Sequence, residues 1–341
     1  MTTQVSPIAS QQLDPLLLEV ICCPACRGDL TYDMGAQELH CSPCAFTYPI
    51  IEGIPVLFPT NVKARFQELF HRFWDSEERA AVYDRFVEGA QSMMDMHTHL
   101  GEVQTTMEVL GPLSNQRILD CGCGNGRFFE QYPRGVVAFG IDASLNLLRI
   151  CKQKGRCTRL VCGELEHLPF KTGAFDRALS VRVIQHLRQQ ADAVAEMARV
   201  LRPSGEMIMH CYNGVSSKGV VKRIRQTRLA PILNAPFRAI FRSMSPFEPW
   251  GIPYDQYNSA WQVKRWLRAS GTSVKMVRGA SFGFNKWFLS GFMIIPWVER
   301  KNPALVKRYL NWSLRTELVL GRLWPFSHLM EKFVIKSRKV V

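Results

Sequence analysis

The sequence predicts an α/β protein with a mostly parallel, Rossmann-like sheet and a small separate unit in front of it. Between residues 117 and 212, short apolar runs alternate with stretches of helical periodicity. That alternation is typical of a parallel sheet covered on both faces by helices. Ahead of it, residues 14–60 hold two Cys-x2-Cys pairs. A unit this small has little core of its own without a metal.

The charge of the chain is distributed unevenly. The net charge of the 341 residues is +14, yet residues 1–215 hold 20 basic and 24 acidic side chains, whereas residues 216–341 hold 23 basic and 5 acidic ones. This asymmetry indicates an anionic partner for the C-terminal third, either RNA phosphates or lipid headgroups. A solvated basic surface is the alternative.

The N-terminal residues are polar and do not form a charged-then-apolar secretion signal. The longest apolar run, residues 287–298, is too short to span a membrane. We therefore expect a cytoplasmic protein, with peripheral contact to an anionic membrane surface as an option. Eleven cysteines in such a chain indicate thiols or metal ligands and not disulfides.

The two Cys-x2-Cys pairs predict a closed structural zinc site. The pairs, Cys23 with Cys26 and Cys41 with Cys44, are separated by 14 residues. At this spacing two hairpin turns bring four thiolates onto one tetrahedral Zn²⁺. Cys22 is assigned no role, because Cys23 is the residue that completes the symmetric spacing.

The motif order in this segment, C-P-x-C, G-x-L, a second C-x2-C and YPIIEGIPVL, resembles the small zinc-ribbon proteins that activate tRNA and translation-factor methyltransferases by docking onto them. The resemblance implies that a ribbon of that type is fused in cis, so we expect no separate activator. We expect the ribbon to cover an edge or a face of the following domain and to do no chemistry itself.

The stretch ILDCGCGNGRFFE, residues 118–130, reads as a buried strand, a glycine turn and a helix start. This arrangement places a ligand against a helix N-terminus. A dinucleotide fingerprint, G-x-G-x-x-G, would need glycine at position 127, where the chain has Arg127. Asp142 ends the next predicted strand and is placed to accept hydrogen bonds from ribose hydroxyls. Glu164, after the third strand, is suited to reach an adenine.

Five motifs in this order, D-x-G-x-G-x-G, G-I-D-A-S, G-E-L-E-H-L-P-F, F-D-x3-S-V-x-V-I-Q-H-L and V-L-R-P-S-G, closely resemble class I S-adenosylmethionine-dependent methyltransferases. The resemblance implies S-adenosylmethionine as the cofactor and an antiparallel last strand in the sheet. It implies that the methionine end of the cofactor is contacted by Asp120, Gly122, Cys123 and Gly124. It further implies that the ribose is contacted by Asp142 and Ala143, and the adenine by Glu164 and Leu165.

Two residues are candidates for catalysis. Methyl transfer from a sulfonium is an in-line displacement, so alignment of the acceptor matters more than a base. His186, after the fourth predicted strand, could take a proton from an acceptor at neutral pH. Arg182, four residues earlier, could anchor an acidic substrate if a helix starts early there. A packing or orienting role is the alternative for His186.

We divide the chain into a zinc ribbon (1–60), a helical connector (61–100), an S-adenosylmethionine-binding core (101–212) and a basic, aromatic-rich acceptor region that includes the last strands (213–341). The connector carries aromatic residues at helical spacing, which we interpret as core packing: Phe66, Phe70, Phe73 and Trp74.

Two insertions, residues 212–260 and 279–330, are expected to leave the carboxyl edge of the sheet and form the acceptor pocket. Each carries 7 basic and 2 acidic residues. The second insertion holds ten aromatic residues: Phe282, Phe284, Trp287, Phe288, Phe292, Trp297, Tyr309, Trp312, Trp324 and Phe326. Closing the domain core is the alternative role for these aromatics.

The acceptor class is left open by these residues. Basic residues among aromatic residues are typical of RNA-binding surfaces. They are equally typical of an amphipathic cap that rests on a membrane and admits a lipophilic acceptor. The ribbon and SVRVIQHL resemble the tRNA wobble-uridine methyltransferases, although the long aromatic insertion does not. We expect methyl transfer to an N, O or C atom of a small acceptor, with lipophilic metabolites included. The alternatives are a tRNA methyltransferase of wobble-uridine type and a non-catalytic binding protein.

Overall fold

The computed structural model describes residues 12–59, 76–87, 93–225, 256–281 and 294–340. The four aromatics predicted to pack in the connector lie outside the described residues, as do five of the ten aromatics of the second insertion: Phe282, Phe284, Trp287, Phe288 and Phe292.

The N-terminal unit is a helix followed by an antiparallel ribbon. The helix begins after Asp14, whose side chain accepts a hydrogen bond from the Leu16 N–H, and Pro15 occupies its first turn, where no donor is lost. Four strands then pair in sequence order, each antiparallel to the next. The elements are α1 (Pro15–Val20), β1 (Thr31–Asp33), β2 (Glu38–Cys41), β3 (Phe46–Ile51) and β4 (Ile54–Leu57).

The central sheet has the strand order β7-β6-β5-β8-β9-β11-β10. Its strands are β5 (Arg117–Cys121), β6 (Val137–Asp142), β7 (Leu160–Gly163), β8 (Phe175–Val181), β9 (Leu201–Tyr212), β10 (Thr272–Ala280) and β11 (Lys332–Lys339). The first five pair in parallel, whereas β11 is antiparallel to both β9 and β10. This confirms the predicted fold class, including the antiparallel last strand.

Helices cover the sheet and fill its connections. They are α2 (Glu77–Val87), α3 (Met93–Leu110), α4 (Leu145–Gln153), α5 (Gln190–Val200), α6 (Ser217–Arg225), α7 (Ala260–Ala269), α8 (Ile294–Lys301), α9 (Pro303–Leu320) and α10 (Phe326–Leu329). In α5 the apolar side chains of Val194, Met197 and Ala198 are buried. Leu201, directly after α5, is the first residue of β9. The boundary predicted between residues 100 and 101 falls inside α3.

The helix predicted directly after the first strand of the core is wrong. The chain forms only a short 3₁₀ turn there, Phe129–Gln131. Gly122, Gly124 and Gly126 all have positive φ values, which an α-helix does not accommodate. The turn then ends at Tyr132, whose backbone is extended before Pro133. The glycine turn therefore presents its own backbone, and no long helix begins behind it.

The ribbon is continuous with the central sheet. Val56 and Leu57 of β4 pair in parallel with Cys162 and Gly163 of β7, so the ribbon covers the sheet edge. Leu17 and Leu39 of the N-terminal unit are fully buried in the same hydrophobic cluster as residues of the central sheet. The expectation that the ribbon covers an edge of the following domain is confirmed.

Both insertions leave the carboxyl edge of the sheet, as predicted. β9 ends at Tyr212 and β10, which runs parallel to it, ends at Ala280. β11 begins at Lys332, which pairs with Tyr212. Helix α9 packs on α3, and α3 lies along β9, β10 and β11. Within the described residues, no helix is both long enough and apolar enough to cross a membrane.

Candidate active site

The four predicted zinc ligands come together at one end of the ribbon. The sulfur atoms of Cys23, Cys26, Cys41 and Cys44 all lie within 4.8 Å of one another, and the Cys26 and Cys41 sulfurs are 3.4 Å apart. Four sulfurs at this separation match a tetrahedral Zn²⁺ with Zn–S bonds of about 2.3 Å. The Tyr48 hydroxyl lies 3.2 Å from the Cys23 sulfur. The residues present therefore fit a structural zinc ion.

The glycine turn after β5 is fixed by close packing. A side chain at Gly122 would overlap Val183, which follows β8, and one at Gly126 would overlap the Cys151 sulfur. The backbone N–H groups of Gly122 and Cys123 donate to the Ile141 carbonyl at 2.7 and 3.0 Å. This places the turn across the carboxyl ends of β5, β6 and β8, where ligands bind in open α/β sheets.

Asp142 connects the glycine turn to the next helix. One carboxylate oxygen accepts from the Gly124 N–H at 2.8 Å, and the other accepts from the Ser144 N–H at 2.9 Å. The Ser144 side chain in turn caps α4. The structure thus brings the residue predicted for the ribose next to those predicted for the methionine end. Ala143 follows Asp142, and its carbonyl accepts from the Cys162 thiol at 3.6 Å.

Several polar groups at this edge are buried without a hydrogen-bond partner among the described residues, and they include one carboxylate oxygen of Asp120 and the Ser180 hydroxyl. Burial raises the pKa of Asp120 to about 7, and the charge of Asp142 adds to the rise. Orphaned groups of this kind are costly unless a ligand completes them. A cofactor with a cationic methionine end fits this place.

Glu164 and Leu165, predicted for the adenine, lie directly after β7. Leu165 is buried, on a 3₁₀ turn of three residues. A carboxylate oxygen of Glu164 is 3.8 Å from His167 Nδ1. Cys123 is also buried. All eight predicted cofactor residues therefore lie at the carboxyl ends of β5, β6 and β7 or directly after them.

A buried ion cluster lies at the same edge, centred on Glu102 of α3. Its carboxylate is 2.7 Å from Arg127 Nη2, 3.0 Å from Arg182 Nε and 3.2 Å from Lys332 Nζ. Burial alone would raise the pKa of Glu102, but these three cations hold it well below its usual range. The Arg182 Nε–H is within ion-pair distance yet has no aligned hydrogen-bond acceptor. We call these four residues the Glu102 cluster.

Tyr212, at the end of β9, extends this cluster. Its hydroxyl is 3.5 Å from Arg182 Nη1, and Lys218 Nζ lies 4.6 Å from its ring centroid. Burial would raise the pKa of Tyr212, but the charges of Arg182, Lys218 and Lys332 lower it to about 7. Lys218 is paired with Glu331 at 2.8 Å. Four cationic side chains thus face two carboxylates.

No helix starts at Arg182, although the role predicted for Arg182 required one. Arg182 has a φ of 58°, and only a 3₁₀ turn, Ile184–His186, follows it. This left-handed residue turns the chain sharply and aims the guanidinium at Glu102. His186 is partly exposed at the end of that turn, with Nε2 3.1 Å from the side-chain nitrogen of Gln185.

An open cleft of about 620 Å³ lies beside Tyr212 at the same edge. Tyr257, which stacks on Tyr212 with ring centroids 4.8 Å apart, forms part of its wall. The other walls come from the segment after β8, from α6 and from the start of α7. They include Arg188, Asp192, Arg223, Gln262 and Trp266.

Sequence reasoning missed Glu102, Tyr212, Lys218 and Lys332. One signal could have found two of them: Tyr212 ends β9 and Lys332 begins β11, so both lie at the carboxyl edge by topology alone. Glu102 carries no such signal, because it is one acidic residue within an ordinary helix. Lys218 resembles the other basic residues of its insertion.

Comparison with known proteins agrees with this geometry. Residues 119–209 match the methyltransferase domain family, and residues 14–53 match the Trm112p-like protein family. An uncharacterized protein of Methanocaldococcus jannaschii, MJ0638, is 36% identical over 96 residues, 28% of this chain and 40% of its own length. The mouse tRNA (carboxymethyluridine(34)-5-O)-methyltransferase ALKBH8 is 32% identical over 102 residues, 29% of this chain and 15% of its own.

This chain therefore spans less than half the length of either curated relative. Among solved structures, phosphoethanolamine N-methyltransferase 2 of Haemonchus contortus with S-adenosylmethionine aligns with a TM-score of 0.51. It is 17% identical, and the alignment covers 84% of this chain and 62% of that one. That likeness shows the fold alone.

The protein thus carries a class I S-adenosylmethionine-dependent methyltransferase domain. A Trm112-like zinc ribbon precedes this domain in the same polypeptide, and its four cysteines are arranged to hold a structural zinc ion.

Proposed function

We propose that this protein transfers a methyl group from S-adenosylmethionine to a small acceptor that carries an anionic group. The observation that carries this proposal is the charge of the site: four cationic side chains converge on Glu102 and Glu331 beside the glycine turn. Buried charge of one sign is costly unless it is compensated. An anionic acceptor group would supply that compensation.

When bound, S-adenosylmethionine supplies an electrophilic methyl group on a sulfonium. The chain's part is to hold and align. Asp120 and the backbone of Gly122, Cys123 and Gly124 would hold the methionine end. Asp142 and Ala143 would hold the ribose, and Glu164 and Leu165 the adenine. The buried oxygen of Asp120 supports this assignment, because it has no hydrogen-bond partner among the described residues.

On the acceptor side, Arg182 is the residue best placed to bind an acid. Its side chain is 15% exposed, its Nε–H has no aligned acceptor, and it stands between Glu102 and Tyr212. Guanidinium groups bind carboxylate and phosphate through paired donors. Lys332 is only 3% exposed, so only a small group that enters the site can reach it.

Tyr212 is the candidate base. A phenol whose pKa is lowered to about 7 is about half ionised at neutral pH, and its oxygen can then accept a proton from an acceptor N–H or O–H. Tyr212 contacts Arg182 of the Glu102 cluster and stacks on Tyr257, a wall residue of the cleft. His186 is the other candidate, on the turn that follows Arg182.

The cleft has a volume of about 620 Å³ and is wide open to solvent, so a small-molecule acceptor can enter it. The wall carries both polar groups and the rings of Tyr257 and Trp266. The lipophilic character expected of the acceptor rests largely on aromatics outside the described residues.

The second candidate is methylation of a uridine in the tRNA anticodon. The relatives favour it: two of those matched are named as tRNA (carboxymethyluridine(34)-5-O)-methyltransferases, from mouse and from Arabidopsis thaliana. A carboxymethyl group is itself anionic, so a site built for an acid suits this acceptor as well.

The test is a label-transfer experiment with the full chain and methyl-labelled S-adenosylmethionine. The acceptors are a small-acid extract of the host and bulk host tRNA, offered separately. Label in the small-acid fraction, with the KM for that acid raised in Arg182→Gln, supports the first candidate. Label in tRNA supports the second and overturns the first. Calorimetric binding of S-adenosylmethionine with label in neither fraction indicates a non-catalytic protein.

A further inference from the structure

One helix near the C-terminus exposes a line of large apolar side chains. In α9, Leu305, Trp312 and Val319 are 54%, 62% and 58% exposed. They are spaced seven residues apart, so they lie on one side of the helix along most of its length. The opposite side is packed, since Val306 and Leu310 are buried. We call the three exposed residues the α9 stripe.

Basic side chains flank the α9 stripe. Arg308 and Arg315 are exposed and follow Leu305 and Trp312 by three residues each, which places them beside the stripe on the helix surface. Residues 294–329 hold six basic and two acidic side chains. Both acidic side chains form hydrogen bonds within the protein. Glu299 accepts from the Met93 N–H, and Glu317 accepts from the Ser313 hydroxyl.

We propose that the α9 stripe is a docking surface for an anionic membrane. A helix with apolar residues on its outer side and arginines beside them lies in the plane of a membrane interface. Its apolar residues enter the boundary between headgroups and acyl chains, where tryptophan is favoured. Its arginines meet the anionic headgroups. This surface is separate from the methyl-transfer site, so the inference does not depend on the proposed acceptor.

The stripe suits lipid better than its competitors. RNA is bound by stacking on aromatic side chains, yet two of the three stripe residues are aliphatic. A second copy of this chain, docked through the same face about a two-fold axis, would bring Arg308 and Arg315 of both copies together. An anionic surface removes that repulsion.

The neighbouring segment continues the same character. Trp324, just beyond the end of α9, is 78% exposed, and Leu323 beside it is exposed as well. At the other end, Trp297 of α8 is exposed beneath the ammonium of Lys301, which is 4.3 Å from its ring centroid. Exposed apolar side chains, with a cation beside Trp297, are therefore also present next to both ends of α9.

The test is vesicle flotation of the full chain. One vesicle contains phosphatidylcholine alone, and the other contains equal amounts of phosphatidylcholine and phosphatidylserine. We expect binding to the second vesicle only. Trp312→Ser should weaken the binding about tenfold through the lost apolar insertion. Arg315→Gln should weaken the binding about fivefold at low salt, because this is the contribution of one arginine to the affinity for an anionic surface.

The matched controls are on α7, which exposes one tryptophan and two arginines without an aliphatic line. Trp261 is 53% exposed, and Arg265 lies one turn further along the same helix. Trp261→Ser and Arg265→Gln should float as the unchanged protein does. All four variants alter exposed side chains, so circular dichroism should show the same fold.

Three results would overturn the proposal. The first is equal flotation with both vesicles or with neither. The second is unchanged flotation of Trp312→Ser. The third is the use of this surface by another partner. That partner would be a second copy, if light scattering shows a dimer that Trp312→Ser dissociates. It would be RNA, if tRNA binding is salt-dependent and is weakened by Arg315→Gln while vesicles are not bound. None of these outcomes changes whether label enters the small-acid fraction, so the docking proposal and the proposed function fail separately. Binding of tRNA through Arg315 would in addition favour the tRNA candidate.

Discussion

The proposed cofactor side and the proposed acceptor side of this site are built in different ways. The cofactor side comes from contiguous segments, the glycine turn and the Asp142 loop, and much of it is backbone held by short hydrogen bonds. The acceptor side comes from side chains far apart in the chain, Glu102, Arg182, Tyr212 and Lys332. The first is a motif that many acceptors can share. The second is an arrangement of charged side chains where we propose that the acceptor binds, so we expect it to decide which acceptor is used.

The ribbon should give the largest effect, because it supports both sides through the sheet edge. Structural zinc contributes on the order of 10 kcal/mol to the folding of small ribbons. Cys41→Ser should lose the metal and unfold the ribbon with β4, which exposes the edge of β7. Elemental analysis and scanning calorimetry are the measurements, and we expect zinc below one equivalent and a lower melting temperature.

Cys22→Ser is the matched control for this variant. Cys22 is buried beside Cys23 but lies outside the four-sulfur cluster. It should keep one zinc ion. A Cys41→Ser protein that retained both zinc and melting temperature would show that the ribbon does not depend on the metal.

Glu102→Gln should be the next largest effect and should fall on the acceptor side. It leaves Arg127, Arg182 and Lys332 without their shared carboxylate, and removing one partner from a buried ion cluster costs about 3–5 kcal/mol. Denaturant unfolding at neutral pH measures it. Glu108→Gln is the control, because Glu108 is on the same helix but is 30% exposed.

This prediction also has a pH signature. The pKa of Glu102 in the folded protein is below the pKa of an unfolded glutamate, which is about 4.3. Its stabilising contribution is therefore complete above that value and is lost as the pH falls through the folded pKa. The acid loss of stability should be shallower in Glu102→Gln. Parallel acid profiles for the two proteins would contradict the charge assignment.

The same contrast explains what the sequence predicts. The order of apolar runs and helices, together with Asp142 and the four ribbon cysteines, was enough for the fold class and the zinc cluster, because each is a local pattern with fixed spacing. The helix expected after β5 failed because three glycines with positive φ keep that segment irregular. The Glu102 cluster could not be predicted from the sequence, because its residues come together only when α3 packs on the sheet.

Tyr212→Phe tests the base on the acceptor side. The rate of the unchanged protein should rise as the pH passes about 7, where the Tyr212 phenol loses its proton. The phenylalanine variant should lose this dependence together with about a hundredfold in kcat. The measurement is kcat/KM against pH at saturating S-adenosylmethionine. His186→Asn is the competing variant: if it, and not Tyr212→Phe, abolishes the rise, then His186 is the base.

Asp142→Asn should give the smallest effect, confined to the cofactor side. Asparagine keeps one acceptor for the Gly124 or the Ser144 N–H, so the turn and α4 stay in place. It loses the negative charge that strengthens hydrogen bonds from ribose hydroxyls, a change of about tenfold in affinity. Calorimetric titration should therefore show weaker S-adenosylmethionine binding, with the melting temperature lowered only by the loss of one backbone hydrogen bond. Asp33→Asn is the control, because Asp33 also accepts a backbone N–H, at 2.9 Å from Ala36, but lies in the ribbon. Unchanged affinity in Asp142→Asn would remove the ribose role and would leave the glycine turn as the main determinant of cofactor binding.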